Sequence, residues 1–371
     1  MIKVGVTGSN GFIGWHLCHI LGLNSNKFEV IKFKRDWFNE IGNLDLFVSK
    51  CDVIVHLAGL NRHSEEDIIY TTNIGLAKKL IESFKRTGFI GQLIFSSSIQ
   101  ENRNNSFGNS KKIAKELFYN WAIKSGANFK GLIIPNVFGA FGLPFYNSVI
   151  STFCHQLVQK EIPKIENDAT LNLIYVDDLV KVIIDLIEVE SIENINVDYT
   201  DSYKVSQLLD LLNTYKLKYF ENGQIPSFNS QFEKNLFNTF RTYFDFNTYF
   251  PVKYKNNIDQ RGNFVEIIKL ETGGQVSFST TKSGVTRGNH FHTRKIERFS
   301  VIKGKALIQL RKIGSTKVYD YYLSGDNPSY VDMPIWYTHN IKNIGDEELY
   351  TMFWINEFYD EKDPDTYFEI V

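Results

Sequence analysis

Four side chains in the last third of the sequence have the types and the spacing of a metal site. His290 and His292 stand two residues apart in a predicted strand, so both side chains point to the same face. Glu297 follows on the next predicted strand, and His339 comes from a later hairpin. Imidazole nitrogen and carboxylate oxygen suit zinc or another divalent transition metal. We therefore predict one metal site. The alternative is that His290 and His292 form an HxH pair on an exposed strand and that His339 is a hydrogen-bonded core residue.

A glycine-rich turn near the start of the chain has the spacing of a phosphate-binding turn. It follows a short apolar run and opens a predicted helix. One glycine permits the bend, one lets a pyrophosphate approach the backbone, and one lets helix pack on strand. The free N–H groups of the helix then face the phosphates. We predict a dinucleotide site with these contacts: Gly8, Asn10, Gly11, Phe12, Ile13 and Gly14.

The charges after the second predicted strand bear on which dinucleotide binds. A carboxylate at this position would accept a hydrogen bond from the ribose 2′-hydroxyl, whereas cations would suit a 2′-phosphate. Lys34 and Arg35 come first and favour NADPH. Asp36 follows, and if it contacts the ribose the cofactor is NADH.

Two different periodicities describe the elements that must position these residues. Up to about residue 245, short apolar runs alternate with amphipathic stretches such as 73–85. That pattern predicts an α/β fold with a doubly wound parallel sheet. After Pro251 the chain breaks into many short strands, which predicts a β-sandwich or barrel. We therefore expect two domains, residues 1–245 and 246–371.

Composition and charge exclude several classes of protein. A net charge of −1 argues against the basic surface of a nucleic-acid binder. Cys18, Cys51 and Cys154 form no CxxC pair, so we expect neither a disulfide framework nor a thiolate zinc site, and a cytoplasmic location. No apolar run has the length of a transmembrane or signal segment, so we expect no membrane association.

Several short motifs in residues 1–245 resemble the extended short-chain dehydrogenase/reductase family. The GxxGxxG spacing is typical of it, and Tyr175 opens a Tyr-Val-Asp-Asp run that resembles a later signature. The resemblance implies further cofactor contacts from the loop after the third strand, from a helix asparagine and from a lysine. These positions are Leu57, Ala58, Gly59, Asn73 and Lys111. It also implies a catalytic serine at Ser98 and a substrate contact at Asn136. Asn147 and Ser148 lie in the run 146–150, which resembles a two-domain family of polysaccharide synthesis, and we expect them to contact the substrate as well.

Phe107 occupies the tyrosine position of this family's YxxxK motif, and it has no proton to give. In that motif the tyrosine protonates the substrate oxygen as hydride reaches carbon. The lysine, here Lys111, lowers the tyrosine pKa and holds the nicotinamide ribose. Three explanations are open: a domain that binds dinucleotide without reduction, another acid or a water as proton donor, or an engineered substitution. Ile133, where relatives often have arginine, is a second departure on the substrate side.

The histidine-rich region resembles the two cupin motifs. The first, G(x)5HxH(x)4E(x)6G, matches from Gly284 to Gly304. In the second, His339 fits, whereas Trp336 replaces the usual glycine. The resemblance implies an all-β cupin, a jelly roll that binds zinc. Residues 259–266 also resemble the opening strand of nucleotide-sugar epimerases of the cupin class.

The order of the two domains resembles a bifunctional family of capsular polysaccharide and O-antigen synthesis. The resemblance implies that the cupin epimerises C3 of a UDP-2-acetamido-2,6-dideoxy-4-hexulose. The first domain would then reduce C4 with NADPH, giving a UDP-2-acetamido-2,6-dideoxy-L-talose. It also implies a UDP-sugar substrate and a homodimer. The alternatives are an epimerase without reduction, and a nucleotide-sugar binder whose dinucleotide domain is not catalytic.

His290 has an ambiguous role in such a reaction. A base must remove the C3 proton, and a metal or a hydrogen-bond donor must stabilise the enolate. His290 aligns with the base of metal-free epimerases, yet a metal-bound histidine cannot be a free base without leaving the metal. Tyr337, Lys303 and a metal-bound water are the alternatives.

Overall fold

The chain divides into two compact units in a computed structural model. The model describes residues 1–259, 262–265, 267–271, 273–357 and 360–371. The first unit contains Met1–Thr152 and Ile165–Leu208, and the second contains Phe153–Lys164 and Leu209–Val371. The domain boundary expected between residues 245 and 246 lies inside the second unit, and it stays a prediction.

The first unit is built on a six-stranded parallel sheet. Its strands, with those of a smaller sheet, are β1 (Ile2–Thr7), β2 (Phe28–Lys32), β3 (Val53–His56), β4 (Gln92–Ser98), β5 (Asn128–Ile134), β6 (Asn136–Phe138), β7 (Thr170–Tyr175), β8 (Ile192–Asn196) and β9 (Asp201–Lys204). The large sheet has the order β2-β1-β3-β4-β5-β8, and the small one has the order β6-β7-β9. Every pairing in the large sheet is parallel. The predicted doubly wound α/β fold is confirmed.

Helices connect these strands because amphipathic stretches can bury one face on the sheet. The α-helices are α1 (Phe12–Leu23), α2 (Ile41–Ser49), α3 (Glu66–Thr87), α4 (Ser106–Ser125), α5 (Val149–Val158), α6 (Val176–Leu186), α7 (Val205–Tyr215) and α8 (Gln231–Arg241). The side chain of Asn105 caps α4 by accepting a hydrogen bond from the Gly108 N–H at 2.7 Å. In the described part of the chain, no helix has both the length and the apolar character needed to cross a membrane.

Alternation along the central strands gives each face of the sheet its own core. Ile54 and Leu93 pack in one apolar cluster. Their neighbours Val55 and Ile94 pack in the other. A sheet buried on both faces needs apolar residues at successive positions, which explains the continuous apolar runs in the sequence.

The second unit contains two five-stranded antiparallel sheets. The remaining strands are β10 (Gln224–Ile225), β11 (Val252–Lys253), β12 (Asn256–Asp259), β13 (Gly262–Val265), β14 (Lys269–Leu270), β15 (Gln275–Thr281), β16 (Thr286–Phe291), β17 (Glu297–Lys303), β18 (Lys305–Lys312), β19 (Val318–Ser324), β20 (Ser329–Met333), β21 (Tyr337–Asn343), β22 (Leu349–Ile355) and β23 (Tyr367–Phe368). The sheet orders are β11-β20-β17-β22-β15 and β19-β18-β21-β16-β23. The prediction of an all-β fold after residue 251 is confirmed.

Part of the helical sequence belongs to this second unit. The Tyr219 hydroxyl donates to Asp332 at 2.6 Å, and Arg241 donates to the carbonyl of Met333 at 3.1 Å. Asp332 also accepts two hydrogen bonds from the buried guanidinium of Arg298, at 2.8 and 3.0 Å. These polar groups fasten residues after 208 onto β17 and β20.

Candidate functional site

Three strands bring the four predicted metal ligands together. His290 lies next to the last residue of β16, beside His339 of β21, with which it is in register. His292 comes directly after β16, and Glu297 begins β17. The candidate ligand atoms of the four residues all lie within 4.8 Å of one another. His292, Glu297 and His339 are buried, whereas His290 is half-buried.

Polar atoms without hydrogen-bond partners converge at the centre of this cluster. The Nε2 atoms of His292 and His339 lie 3.1 and 3.2 Å from the same oxygen of Glu297, Oε2. Among the described residues, all three atoms are buried and none has a hydrogen-bond partner. A divalent cation would satisfy all three atoms at once, so the donor set fits a metal.

Outer hydrogen bonds orient the two buried imidazoles. The Nδ1 atom of His292 lies against the carbonyl oxygen of Asp365, and Nδ1 of His339 lies 3.2 Å from the carbonyl oxygen of Tyr337. A carbonyl can only accept, so each Nδ1 carries a proton, and Nε2 is the ring nitrogen that is left to face a cation. This is the arrangement that metal-binding histidines usually have.

The charges of the cluster suit metal binding. Burial, with the neighbouring imidazoles of His339 and His292, lowers the pKa of His290 to about 4. Burial alone would raise the pKa of Glu297, but the imidazoles of His292 and His339 outweigh it and hold that pKa well below its usual range. Near neutral pH the cluster therefore offers an ionised carboxylate and a neutral His290, the forms that bind metals.

The residues considered as alternative bases lie in different settings. Tyr337 is buried against the ring of Phe246 at a centroid distance of 4.9 Å, and burial raises its pKa. Lys303 is exposed at the end of β17, 3.5 Å from Glu347.

The run 259–266, which resembles the opening strand of cupin-class epimerases, is described only in part. Gln260, Arg261 and Glu266 lie outside the described residues.

Trp336, at the glycine position of the cupin motif, has a backbone conformation that is rare for residues with a side chain. Its φ is +61°, a left-handed conformation that favours glycine. Its N–H donates to the carbonyl of His292 at 2.8 Å, and its fully buried ring stacks on Phe291. The departure from the cupin motif therefore fills space beside the cluster with an aromatic ring.

A cavity of about 690 Å³ in the first unit opens at the glycine-rich turn. Gly8 has φ +76°, and a Cβ on Gly14 would lie 2.1 Å from the carbonyl oxygen of Gly8, so both positions require glycine. The lining residues are Gly8, Ser9, Asn10, Gly11, Phe33, Arg35, Asp36, Phe38, Asn39, Ala58, Gly59, Leu60, Thr71, Thr72, Gly75, Leu76, Lys79 and Tyr146. This cradle of backbone at a helix start fits the pyrophosphate of a dinucleotide.

The predicted cofactor contacts divide into two groups. Those that line the cavity are Gly8, Asn10, Gly11, Arg35, Ala58 and Gly59. Phe12, Ile13 and Gly14 form the first turn of α1, and Leu57 packs on the apolar core. Lys34 instead places its ammonium 5.9 Å from the ring of Trp37. Asp36 lines the cavity beside Arg35, so both alternatives for the ribose contact are present.

Sequence patterns missed the helical side of this cavity. Thr71, Thr72, Gly75 and Lys79 line it from α3. Their own spacing was a usable signal, because positions 71, 75 and 79 follow one another at intervals of four, and residues three and four apart share a helix face.

Asn73 and Lys111 lie together behind the loop at Gly59. The Asn73 side chain accepts from the N–H of Leu60 at 2.7 Å and donates to Ser110 at 3.0 Å. The Lys111 ammonium donates to the carbonyl of Ser96 at 2.8 Å. A Cβ on Gly59 would lie 3.3 Å from Asn73 Oδ1 and 3.4 Å from Lys111 Nζ. Gly59 lines the cavity, whereas Asn73 and Lys111 are not among its lining residues, so both groups lie behind the backbone of this loop.

The predicted catalytic positions follow β4 and open α4. Lys111 lies one turn after Phe107, with its ammonium 5.8 Å from that ring centroid. Burial lowers the pKa of Lys111 to about 8. Ser98 ends β4, and its hydroxyl accepts from the N–H of Gln100 at 3.2 Å. The arrangement holds a cation beside an apolar ring where the resemblance implies a tyrosine hydroxyl.

The three predicted substrate contacts do not line this cavity. Asn136 donates to the carbonyl of Asn172 at 3.0 Å. Ser148 accepts from the N–H of Ser151 at 3.2 Å, and Asn147 is exposed beside it. Their neighbour Tyr146 does line the cavity.

Comparison with known proteins assigns the family. Residues 4–198 match the family described as NAD dependent epimerase/dehydratase. The chain belongs to this family. Residues 257–367 match the polysaccharide biosynthesis C-terminal domain. A nicotinamide cofactor is the one that the family description names, and the cavity at the glycine-rich turn fits it.

Relatives of this family member cover both units. The chain is 33% identical over 374 residues to a UDP-2-acetamido-2,6-beta-L-arabino-hexul-4-ose reductase from Pseudomonas aeruginosa, covering 99% of this chain and 98% of the relative. The crystal structure of the capsular polysaccharide assembling protein CapF from Staphylococcus aureus matches with a TM-score of 0.63 and 34% identity over 100% of both chains. The spore coat polysaccharide biosynthesis protein SpsL from Bacillus subtilis is 28% identical over 123 residues, 30% of this chain and 82% of that protein.

Proposed function

We propose that the chain is a UDP-4-keto-sugar 3-epimerase and NADPH-dependent reductase of capsular polysaccharide or O-antigen synthesis. The observation that carries the proposal is the full-length likeness to the reductase from Pseudomonas aeruginosa and to CapF. The dinucleotide cavity and the His/Glu cluster supply one site for each half of the chemistry. The substrate is a UDP-2-acetamido-2,6-dideoxy-4-hexulose, and the product is a UDP-2-acetamido-2,6-dideoxy-L-talose.

Epimerisation at C3 belongs to the second unit. The C4 ketone acidifies the C3 proton, and a bound zinc ion would supply Lewis acid stabilisation of negative charge. His292, Glu297 and His339 would hold that ion, because their buried polar atoms without hydrogen-bond partners point to one place. His290 is neutral near pH 7 and less buried than its neighbours, so it either completes the ligand set or accepts the C3 proton.

Reduction at C4 belongs to the first unit. The nicotinamide of NADPH would supply hydride, and Arg35 and Lys79 are cations that line its cavity. Lys111 would hold the ribose, and Ser98 would orient the substrate oxygen. Phe107 donates no proton, so a water or another acid must do so, and we expect slow reduction.

We propose a catalytic dinucleotide-binding domain in residues 1–245 and a metal-binding cupin in residues 246–371. We also propose a cytoplasmic homodimer that binds neither nucleic acid nor membrane. Asn136, Asn147 and Ser148 remain the proposed substrate contacts.

Isotope exchange tests the epimerase. The 4-keto substrate is incubated with the purified chain in deuterium oxide, and loss of the C3 proton is followed by NMR. His290→Ala and His339→Ala should abolish exchange, whereas His63→Ala, at an exposed histidine of the first unit, should exchange like the unchanged chain. Full exchange by both cluster variants would contradict the site.

Product analysis with NADPH present tests the reductase. Loss of the C4 ketone with matching NADPH oxidation supports reduction, and Phe107→Tyr should accelerate it by about 10²–10⁴-fold. Equal rates for both chains would refute an impaired reductase. An epimerase without reduction is the second candidate, favoured by Phe107, and it predicts C3 exchange while the ketone survives.

A further inference from the structure

We infer that residues 364–371, here called the strap, are part of the metal centre and that Asp365 is its positioning residue. The inference rests on the metal site of the proposed function. It concerns how this chain holds its ligands, and it assigns a role to a carboxylate far from them in sequence.

The Asp365 carboxylate closes the loop between two ligands. One oxygen accepts from the N–H and the hydroxyl of Thr293, at 3.0 and 2.7 Å. The other accepts from the N–H groups of Arg294 and Lys295, at 3.0 and 3.1 Å. These three residues directly follow His292 and lead to Glu297. Asp365 therefore fixes the loop that sets the separation of those two ligands.

The backbone of Asp365 contacts a ligand itself. Its carbonyl oxygen lies against Nδ1 of His292, which fixes the tautomer and the rotation of that ring. The residue is 2% exposed and has φ +40°. A non-glycine residue persists in such a conformation when surrounding contacts hold it there. The four hydrogen bonds of the carboxylate are those contacts, so side chain and carbonyl act together.

The rest of the strap lies along the strand that carries His290. Strand β23 pairs with β16, with Phe368 opposite His290. The Tyr367 ring stacks on Phe291 at a centroid distance of 5.3 Å, and the N–H of Glu369 donates to the carbonyl of Asn289 at 2.9 Å. The strap thus borders both histidines of the HxH pair.

A structural role alone would make a different prediction from a positioning role. If Asp365 only stabilised the fold, its loss would lower the melting temperature equally with and without metal. If it positions the ligands, its loss weakens metal binding, and the increase in melting temperature that metal produces becomes smaller. Groups in such outer positions typically change metal affinity by about 10–100-fold.

The experiment measures the zinc affinity of the full chain by competition with a chromophoric chelator. It also measures the melting temperature of the full chain with and without zinc. We expect Asp365→Ala to bind zinc about 10–100-fold more weakly. Asp365→Asn should be intermediate, because its amide nitrogen cannot accept from two N–H groups. Asp363→Ala is the matched control: Asp363 lies just before the strap and accepts from Arg294, and its side chain is 66% exposed. It should bind zinc like the unchanged chain.

Three outcomes would overturn the inference. They are zinc affinity of Asp365→Ala within about threefold of the unchanged chain, equal weakening by Asp363→Ala, and no zinc binding by the unchanged chain. A chain that binds zinc normally but fails to exchange the C3 proton would refute the proposed function and leave the strap supported. Should Asp365→Ala fail to fold, Asp365→Asn gives the same comparison.

Discussion

Replacing the buried Lys111 by methionine should stabilise the first unit while it removes a proposed cofactor contact. Lys111 is 5% exposed, and its ammonium lies near two phenylalanine rings. Burial lowers the pKa of Lys111 from 10.5 to about 8. A tenfold change in proton affinity is worth about 1.4 kcal/mol, so burying the charged form costs about 3 kcal/mol. Methionine avoids that cost.

The net gain is smaller because methionine also loses a hydrogen bond. The ammonium of Lys111 donates to the carbonyl of Ser96, and such a bond contributes about 1–2 kcal/mol. We therefore expect Lys111→Met to be more stable by about 1–2 kcal/mol at pH 7. The affinity for NADPH should be lower in the same variant, as expected from the usual trade-off between stability and function.

The pH dependence has a definite sign. The folded pKa of Lys111 is lower than the unfolded one, so between about pH 8 and 10.5 the unfolded chain binds more protons. The unchanged chain therefore gains stability as pH rises through that window, and the methionine variant does not. The advantage of the variant should shrink by about 2 kcal/mol between pH 7 and pH 9.5.

Urea unfolding at the two pH values measures this. Pulse proteolysis with identification of the surviving fragments follows the first unit separately from the second. Lys112→Met, at an exposed position next in the sequence, is the control and should show no advantage at pH 7. The reasoning fails if Lys111→Met is no more stable than Lys112→Met at pH 7, or if its advantage is the same at both pH values.

Three further predictions concern the turn, the buried ion pair and the metal. Gly14→Ala should abolish NADPH binding measured by fluorescence, because its Cβ would meet Gly8, whereas Gly22→Ala on the same helix meets nothing within 4 Å and should bind normally. Arg298→Met should destabilise the second unit by about 3–5 kcal/mol in urea unfolding, and Arg298→Met with Asp332→Leu by less, since no unpaired charge remains. Chelation should lower the melting temperature of the second unit only. Zinc at a hundred times its Kd should restore about 2.7 kcal/mol, whereas a fall in both units would contradict a site confined to the second.

Local spacing allowed the sequence to predict much of the fold. The glycine turn, the strand before it and the helix after it depend on neighbouring residues, and the structure has them as β1 and α1. The HxH pair and Glu297 also lie close in sequence, and their strand period indicates a shared face. His339 lies far from the other three in sequence, so its residue type and its predicted hairpin made it a candidate, and the cupin motif supported it.

Long-range partners explain what the sequence did not reveal. The amphipathic pattern of α8 predicts a helix, but nothing in it says which sheet the helix packs on. The contact between Tyr219 and Asp332 joins residues 113 apart. The contact between His292 and Asp365 joins residues 73 apart. Neither has a local signal, so neither the extent of the second unit nor the strap could be predicted.

Glu297 and Arg298 are neighbours on β17, and the contacts of both depend on the register between β17 and β20. Glu297 faces the histidines, so Arg298 faces the opposite side of the sheet, where it pairs with Asp332 of β20. A buried ion pair is weak evidence for stability, but it selects one alignment of two strands. A slip of one residue would separate Arg298 from Asp332 and turn Glu297 away from His292 and His339. The Arg298–Asp332 pair therefore favours the register that places Glu297 beside His292 and His339.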